Sequence, residues 1–301
     1  MVIESLINDI RERYSLDKYK AERAIITAPF GADYFHECIT RWDSSRAIVE
    51  FAKNKKALLI IVTSKDVPIE AINGVKDYIV IQADEVPGWR SEYTYLNRLF
   101  KWAIPFLFKY INVSLYIDSD LHITNHPNKI IRLFDTIKNH KFCVTEHPLR
   151  SGWLEEIDAI VDHHYLCYDT LMRQKEYYIS CKMPAECPVY QNNIIGRVHG
   201  TLYDQISLEV LKQVNDHSER DQLALCYALW RLSLRPFALR LGEMLYTRSA
   251  DSSRKVNMNR CAFIDPYSWR FSTYPIRPEL FLNAETRSMF FAYVRFKYGM
   301  W

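Results

Sequence analysis

Two aspartates, one residue apart, are the residues of this sequence best suited to carry out chemistry. Asp118 and Asp120 stand in the segment LYIDSDLHI, directly after an apolar run. Alternate side chains of a strand share one face, so the two carboxylates can point together while Ser119 points away. Paired carboxylates bind a hard divalent cation, which stabilises the charge on a diphosphate leaving group. The pair therefore predicts a Mn²⁺ or Mg²⁺ site.

A second polar element, Arg220-Asp221-Gln222, opens a helical run in the second half of the chain. Polar side chains of this kind can steady the charge that develops in a transition state. The alternative is structural, because acids are favoured in the first turn of a helix and Ser218 is a suitable N-cap.

The elements that must position these residues alternate between strands and helices. Apolar runs predict strands at 23–28, 57–63, 78–83, 113–118 and 142–146. Helices are predicted at 2–14, 44–53, 91–110 and 127–139. This alternation is typical of parallel βαβ units, which bind ligands outside the carboxyl ends of their strands. The aspartate pair is predicted to lie at such an end.

From about residue 153 the pattern becomes mostly helical, with runs at 154–179, 201–214 and 220–233. No linker rich in Pro, Gly or Ser divides the chain, so a single domain over 1–301 is predicted. The eight glycines form neither a Gly-x-Gly-x-x-Gly nor a Walker motif, so phosphate must be neutralised by other groups.

Composition limits the classes of partner and compartment. The 39 basic and 36 acidic residues leave a net charge of +3, too small to indicate a nucleic-acid partner. Seven scattered cysteines without a C-x-x-C pair indicate a reducing, cytoplasmic location. The first residues form no secretory signal, and the most apolar helical run is interrupted by Lys101, Pro105 and Lys109, so no membrane span is expected.

Three segments carry a resemblance to a known family. NRLFKWAIPFLFKYINVSLYIDSDLHI resembles the block of retaining GT-A glycosyltransferases in which a basic helix precedes a strand ending in Asp-x-Asp. EHPLRSGWLEE with Gln174 and Tyr177, and NNIIGRVHG with SERDQLALCYALW, are similar to the glycosyltransferase family first noted in plants for turgor and seed-mucilage phenotypes. Bacterial members of that family lie near surface-polysaccharide genes. The similarity covers roughly residues 23–235, and Arg-Asp-Gln is its most specific part.

The resemblance implies a GT-A-type, Rossmann-like sheet that is mostly parallel and flanked by helices, with a helical C-terminal elaboration. It also implies a nucleotide-sugar donor, most commonly a UDP-sugar, bound by residues 21–150. Arg98 or Lys101 would contact the donor phosphates or sugar, with Ser119 nearby. Thr27 and Pro29 stand where GT-A proteins usually hold the nucleoside. Asp66, after the second strand, is another candidate for that role.

The resemblance also assigns residues to the reacting sugar. Asp221 would bind donor-sugar hydroxyls or orient the acceptor, Gln222 would lie beneath the anomeric centre, and Arg220 would contact substrate. Several GT-A families complete the metal site with a late histidine, but no histidine follows His217 here. The remaining metal positions would be filled by His199, or by water and diphosphate.

Residues 151–250 would form the acceptor-side half, for a glycan or lipid-linked saccharide. Glu146, His147 and Arg150 either line the sugar pocket or form a plain strand-end loop. Asn192 and Asn193, in the same way, either contact an acceptor or satisfy a turn.

The aromatic and basic tail, 251–301, either contacts the inner membrane face peripherally or packs on the core. Two other function classes stay open. A nucleotidyltransferase can share this architecture and its carboxylate-bound magnesium, but TAPFGAD is a poor phosphate loop. A noncatalytic carbohydrate-binding protein would not need an intact Asp-x-Asp with Arg-Asp-Gln.

Overall fold

A computed structural model describes residues 3–45, 47–83, 86–119, 121, 127–147, 150–162 and 168–239. Within these residues one seven-stranded sheet is formed by β1 Ala21–Thr27, β2 Leu58–Ser64, β3 Ile79–Ala83, β4 Ile111–Ile117, β5 Phe142–Glu146, β6 Tyr190–Val198 and β7 Phe237–Leu239. The helices are α1 Ile3–Arg13, α2 Ala32–Ser45, α3 Ala47–Lys55, α4 Ile69–Asn73, α5 Tyr93–Trp102, α6 Ile104–Leu107, α7 Pro127–His140, α8 Trp153–Asp162, α9 Tyr168–Ser180, α10 Asp204–Asp216 and α11 Asp221–Arg231.

The strand order is β3-β2-β1-β4-β6-β5-β7. Strands β3, β2, β1 and β4 run parallel to one another, and β5 runs parallel to β7. Strand β6 runs antiparallel to both β4 and β5. The predicted α/β class, with a mostly parallel sheet between helices, is confirmed.

Each face of the sheet carries its own apolar core. One face, with Ile26 and Tyr116, packs against α1, α5, α6, α10 and α11. The other face, with Ile25 and Leu115, packs against α2, α3 and α7. Burial on both faces explains why the parallel strands read as continuous apolar runs rather than alternating ones.

Strand β6 shows how closely α7 approaches the sheet. A Cβ added at Gly196 would lie 2.3 Å from Cγ1 of Ile137 in α7. Packing therefore favours glycine there, because any larger residue would force the Ile137 side chain to move.

The sequence interpretation was wrong about three elements. The predicted helix 91–110 is two helices, because Pro105 lacks an N–H and its ring excludes a continuous helix, so α5 ends at Trp102. Helix α2 was not predicted. Strand β6 was not predicted either, and it places part of the second half inside the sheet rather than beside it.

The predicted single domain over 1–301 includes the tail 251–301, which lies outside the described residues, so it stays a prediction. Within the described residues, no helix has both the length and the apolar character required to cross a bilayer.

Candidate active site

A cavity of about 340 Å³ lies where β1 and β4 end and β6 begins. Ligand sites of parallel sheets are expected at this edge, and Asp118 lies in the cavity wall there. The walls combine polar and aromatic residues: Ala28, Pro29, Phe30, Tyr34, Tyr93, Thr94, Asn97, Arg98, Lys101, Asp118, Ser119, Gln191, Asn192, Asn193, Arg220, Asp221 and Gln222.

Helix α5 forms one wall with a polar stripe. Thr94, Asn97, Arg98 and Lys101 are spaced by three or four residues, so they share the helix face that lines the cavity. The opposite face is apolar and buried against the sheet. Anchoring by the apolar face thus fixes the direction of the polar side chains.

Asp118 leaves the end of β4 with its backbone and side chain both held. Its N–H donates to the carbonyl of Asn193 in β6 at 2.8 Å. The hydroxyl of Tyr116 donates to Oδ1 of Asp118 at 2.9 Å, and the same hydroxyl accepts from Nδ2 of Asn97 at 3.2 Å. The carboxylate is therefore oriented before any ligand binds.

Asp221 is buried at the start of α11, where it faces three donors. Its Oδ1 lies 3.4 Å from Nε of Arg98, and its Oδ2 lies 3.1 Å from Nζ of Lys101. The indole N–H of Trp102 donates to Oδ2 at 3.0 Å. Burial raises the pKa of Asp221, but Arg98, Lys101 and the Trp102 hydrogen bond together hold that pKa well below its usual range.

Lys101 joins the two predicted motifs in space. Its ammonium lies 3.4 Å from Oδ1 of Asp118 and 3.1 Å from Oδ2 of Asp221, and the residue is 1% exposed. Asp118 of the Asp-x-Asp segment and Asp221 of the Arg-Asp-Gln segment thus line one cavity. Asp120 lies outside the described residues.

Arg220 reaches the cavity from a second charged cluster. Its Nε and Nη2 lie 2.8 Å and 2.7 Å from Oε1 of Glu156, which is 0% exposed. Arg150 forms an ion pair with the other oxygen of Glu156, and His147 Nε2 is 3.8 Å from it. Burial raises the pKa of Glu156, but Arg220 and Arg150 lower it more, leaving a net decrease.

Glu156→Gln is expected to lower the free energy of unfolding by about 3 kcal/mol at pH 7, because a buried cation pair loses its counter-charge. The folded-state pKa is lowered, so this stabilisation is present above the ordinary carboxyl pKa of 4.5 and is lost as pH falls below it. Urea denaturation between pH 3.5 and 8 should show the difference from wild type shrinking in acid. The exposed Glu176→Gln is the matched control. A difference that does not change with pH would contradict the ionised state of Glu156.

A bulge in β6 aims Asn192 at the cavity. Val144 of β5 pairs with Ile195, but Thr145 pairs with Gln191, so three β6 residues face no β5 partner. Such bulges redirect side chains near sites. Asn192 is 3% exposed, and within the described residues neither its Oδ1 nor its Nδ2 has a hydrogen-bond partner.

Two exposed tyrosines flank the loop after β1. Tyr34 and Tyr93 both line the cavity, and both rings lie beside Gly31, whose φ is +99°. Ser64 accepts from the N–H of Gly31 at 2.8 Å, and Asp66 accepts from the N–H of Ala32 at 3.2 Å. Asp66 thus shapes this loop without lining the cavity, and its nucleoside contact stays a prediction.

The assignment of His199 as a metal ligand is wrong. The backbone N–H of His199 donates to the carbonyl of Asn112, which precedes Asp118 by six residues. Because a strand rises about 3.3 Å per residue, His199 lies roughly 20 Å from the cavity edge. Its Nε2 lies 2.7 Å from Oγ of Ser114, and burial, aided by Arg197, lowers the pKa of His199 to about 3.

Other predicted contacts also need correction. The Thr27 side chain is fully buried, and the cavity wall begins at the next residue, so Thr27 does not face the nucleoside position. Glu146 is exposed at the end of β5, outside the wall. His147 and Arg150 contact Glu156 and support Arg220 instead of lining the sugar pocket.

The donor set around Asp118 fits a hard cation only in part. Among the described residues there is no group of three or more His, Cys, Asp or Glu that could hold a metal. Asp118 supplies one carboxylate, with 27% of its side chain exposed toward the cavity, while Asp221 is enclosed by cations. Mg²⁺ and Mn²⁺ accept one or two protein carboxylates when phosphate and water complete the shell.

Sequence reasoning missed four residues that build the site: Asn97, Trp102, Tyr116 and Glu156. The polar stripe on α5 was a readable signal for Asn97, since it follows helical spacing on an otherwise apolar helix. No local signal marked Glu156, because its partners lie on other elements.

Comparison with known sequences identifies one family. A model described as "TOD1/MUCI70, glycosyltransferase-like domain" matches residues 96–249. The matched segment begins within α5 and includes Asp118 and Asp221. No curated protein sequence matches the chain significantly.

Solved glycosyltransferases are among the similar structures. The bifunctional glycosyltransferase WbbM has 13% identity and a TM-score of 0.43 over 70% of this chain, which spans only 38% of the WbbM chain. Mouse xyloside xylosyltransferase 1 has 11% identity and a TM-score of 0.41, with 71% of this chain and 84% of that chain covered. The S. cerevisiae mannosyltransferase Ktr4p has 12% identity and a TM-score of 0.41, with 76% and 75% covered.

Proposed function

We propose that this chain, which belongs to the TOD1/MUCI70 glycosyltransferase-like domain family, transfers a sugar from a nucleotide-sugar to a hydroxyl acceptor in a metal-dependent reaction. A UDP-sugar is the proposed donor. The observation that carries the proposal is the cavity in which Lys101 lies between the carboxylates of Asp118 and Asp221.

The charges around the cavity suit a diphosphate and a sugar side by side. Arg98, Lys101 and Arg220 bring three cations to its wall, against the described carboxylates Asp118 and Asp221. A Mn²⁺ or Mg²⁺ held by Asp118 and Asp120 would stabilise the negative charge of the departing nucleoside diphosphate. Arg98 and Lys101 then support the same phosphates from the α5 side.

The polar groups at the β6 side suit a sugar. The buried amide of Asn192 requires a partner, because an unpaired buried polar group is costly, and a hydroxyl can satisfy both its donor and its acceptor. Asp221 lines the same cavity, and its anionic carboxylate, held in place by Arg98, Lys101 and Trp102, would stabilise a developing positive charge. Gln222 follows at the cavity wall, and retention of configuration is proposed from the family resemblance.

The nucleoside is proposed to lie beside the loop after β1, against the rings of Tyr34 and Tyr93. Their exposed rings offer flat apolar area next to polar groups, as base-binding surfaces do. Pro29 and Phe30 continue the same wall.

The test is a panel of nucleotide sugars assayed with Mn²⁺ or Mg²⁺ for release of nucleoside diphosphate. Release from one donor, abolished by chelation of the metal, is the expected result. Release of pyrophosphate from a nucleoside triphosphate would indicate a nucleotidyltransferase instead. Absence of both release and donor binding by calorimetry would contradict the proposal and favour a noncatalytic carbohydrate-binding protein.

The acceptor and the location are proposed from the resemblance. A glycan or lipid-linked saccharide of surface polysaccharide synthesis is the proposed acceptor, met at the cytoplasmic side of the membrane. The tail 251–301, expected to contact the membrane peripherally or to pack on the core, lies outside the described residues.

A further inference from the structure

Arg197 is a buried cation that neither the cavity nor the sheet explains. It lies in β6, paired in register with Ser114 of β4 and Phe142 of β5, and is 2% exposed. Within the described residues, none of its three guanidinium nitrogens has a hydrogen-bond partner. Burial lowers the pKa of Arg197 to about 9, which still leaves it charged at neutral pH. Asp204 attracts this charge electrostatically, but a buried charge without hydrogen bonds destabilises a fold, so its presence calls for a compensating role.

One residue, Trp102, connects Arg197 to the candidate active site. Its guanidinium lies over the ring of Trp102, 4.9 Å from the centroid, with Phe142 at 5.9 Å. The edge of the same indole donates its N–H to Oδ2 of Asp221 at 3.0 Å. Arg197 itself does not line the cavity.

We propose that Arg197 is a positioning residue: its guanidinium, stacked on Trp102, holds the indole in the orientation that donates to Asp221. The role in activity rests on the proposed function, whereas the contact with Trp102 does not. A cation over an indole face is favourable, and more so when both are desolvated. Its charge also adds to those of Arg98 and Lys101 in keeping Asp221 anionic.

The informative substitution is Arg197→Met, which keeps length and apolar packing but removes the charge. We expect nucleoside-diphosphate release to fall about 10- to 100-fold, as displacement of a supporting group does. The melting temperature should rise, because a buried charge that makes no hydrogen bond is removed. Arg197→Lys keeps a cation near the ring and should recover part of the rate. The exposed Arg132→Met is the control for loss of one positive charge and should leave both quantities at wild-type values.

A second readout is independent of activity. In a ¹⁵N spectrum of tryptophan indoles, the Trp102 signal can be assigned by its loss in Trp102→Phe. That N–H should shift upfield and exchange faster with water in Arg197→Met, because its hydrogen bond to Asp221 is loosened. This readout tests the positioning role even if the wild-type protein uses none of the tested donors. That failure would count against the proposed function and not against the contact between Arg197 and Trp102.

Two results would overturn the inference. An unchanged rate together with an unchanged Trp102 signal in Arg197→Met would show that the indole needs no support from Arg197. A fall in melting temperature of equal size in Arg197→Met and Arg197→Lys, with no recovery of rate by lysine, would show that Arg197 serves packing only.

Discussion

Asp221→Asn is expected to reduce nucleoside-diphosphate release on the order of 10²- to 10³-fold, the effect of removing one preorganised electrostatic group from an active site. Asparagine keeps the shape but removes the negative charge, and its amide N–H₂ faces the donors of Arg98, Lys101 and Trp102. Arg98 then loses the carboxylate of Asp221 as its counter-charge, and Lys101 keeps only that of Asp118. The free energy of unfolding should therefore also fall, by about 3 kcal/mol.

The loss of rate in Asp221→Asn has to be measured separately from its loss of stability. Release should be assayed well below the melting temperature of the variant, with circular dichroism confirming that it is folded. The exposed Asp158→Asn serves as the matched control, and wild-type rate and stability are expected for it. A rate within twofold of wild type in folded Asp221→Asn would rule out a catalytic role for this carboxylate.

Asp118→Asn is expected to weaken the apparent affinity for Mn²⁺ by about 100-fold or more, since even outer-shell changes at metal sites cost 10- to 100-fold. The amide is a neutral and weaker ligand for a hard cation. Stability should change by less than about 1 kcal/mol, because the Asp118 side chain is partly exposed and Lys101 keeps Asp221 as a partner.

The measurement is the rate of release as a function of Mn²⁺ concentration, together with metal binding by calorimetry. Excess Mn²⁺ should restore part of the rate in Asp118→Asn but none in Asp221→Asn, because only the former concerns the metal. The exposed Asp135→Asn is the control. Equal metal affinity in Asp118→Asn and wild type would place the metal elsewhere.

Much of the site was predictable because its parts follow local rules. Asp118 comes after an apolar run, and the end of a buried parallel strand is where ligands bind, so its place at the cavity follows from the strand alone. Arg98 and Lys101 were predicted through the family resemblance, and helical spacing puts both on one face of α5.

The errors have a common origin in contacts between distant segments. Asn192 lies in β6 and His199 directly follows that strand, but the antiparallel direction of β6 carries His199 to the far end of β4 and Asn192 to the cavity. Strand direction is not encoded in the apolar pattern, so the sequence could not show which of the two residues lies at the cavity. His147 and Arg150 were correctly placed after the end of β5, yet they contact Glu156 in α8.

The sequence by itself determined the α/β class, the position of Asp118 and the polar stripe on α5, because apolar periodicity decides which faces are buried. Only the tertiary structure decided that Lys101 joins Asp118 to Asp221, and that Arg197 lies behind Trp102. These contacts link residues far apart in the chain. They depend on strand order and on how closely helices approach the sheet, which arise from the packing of the whole core rather than from any one segment.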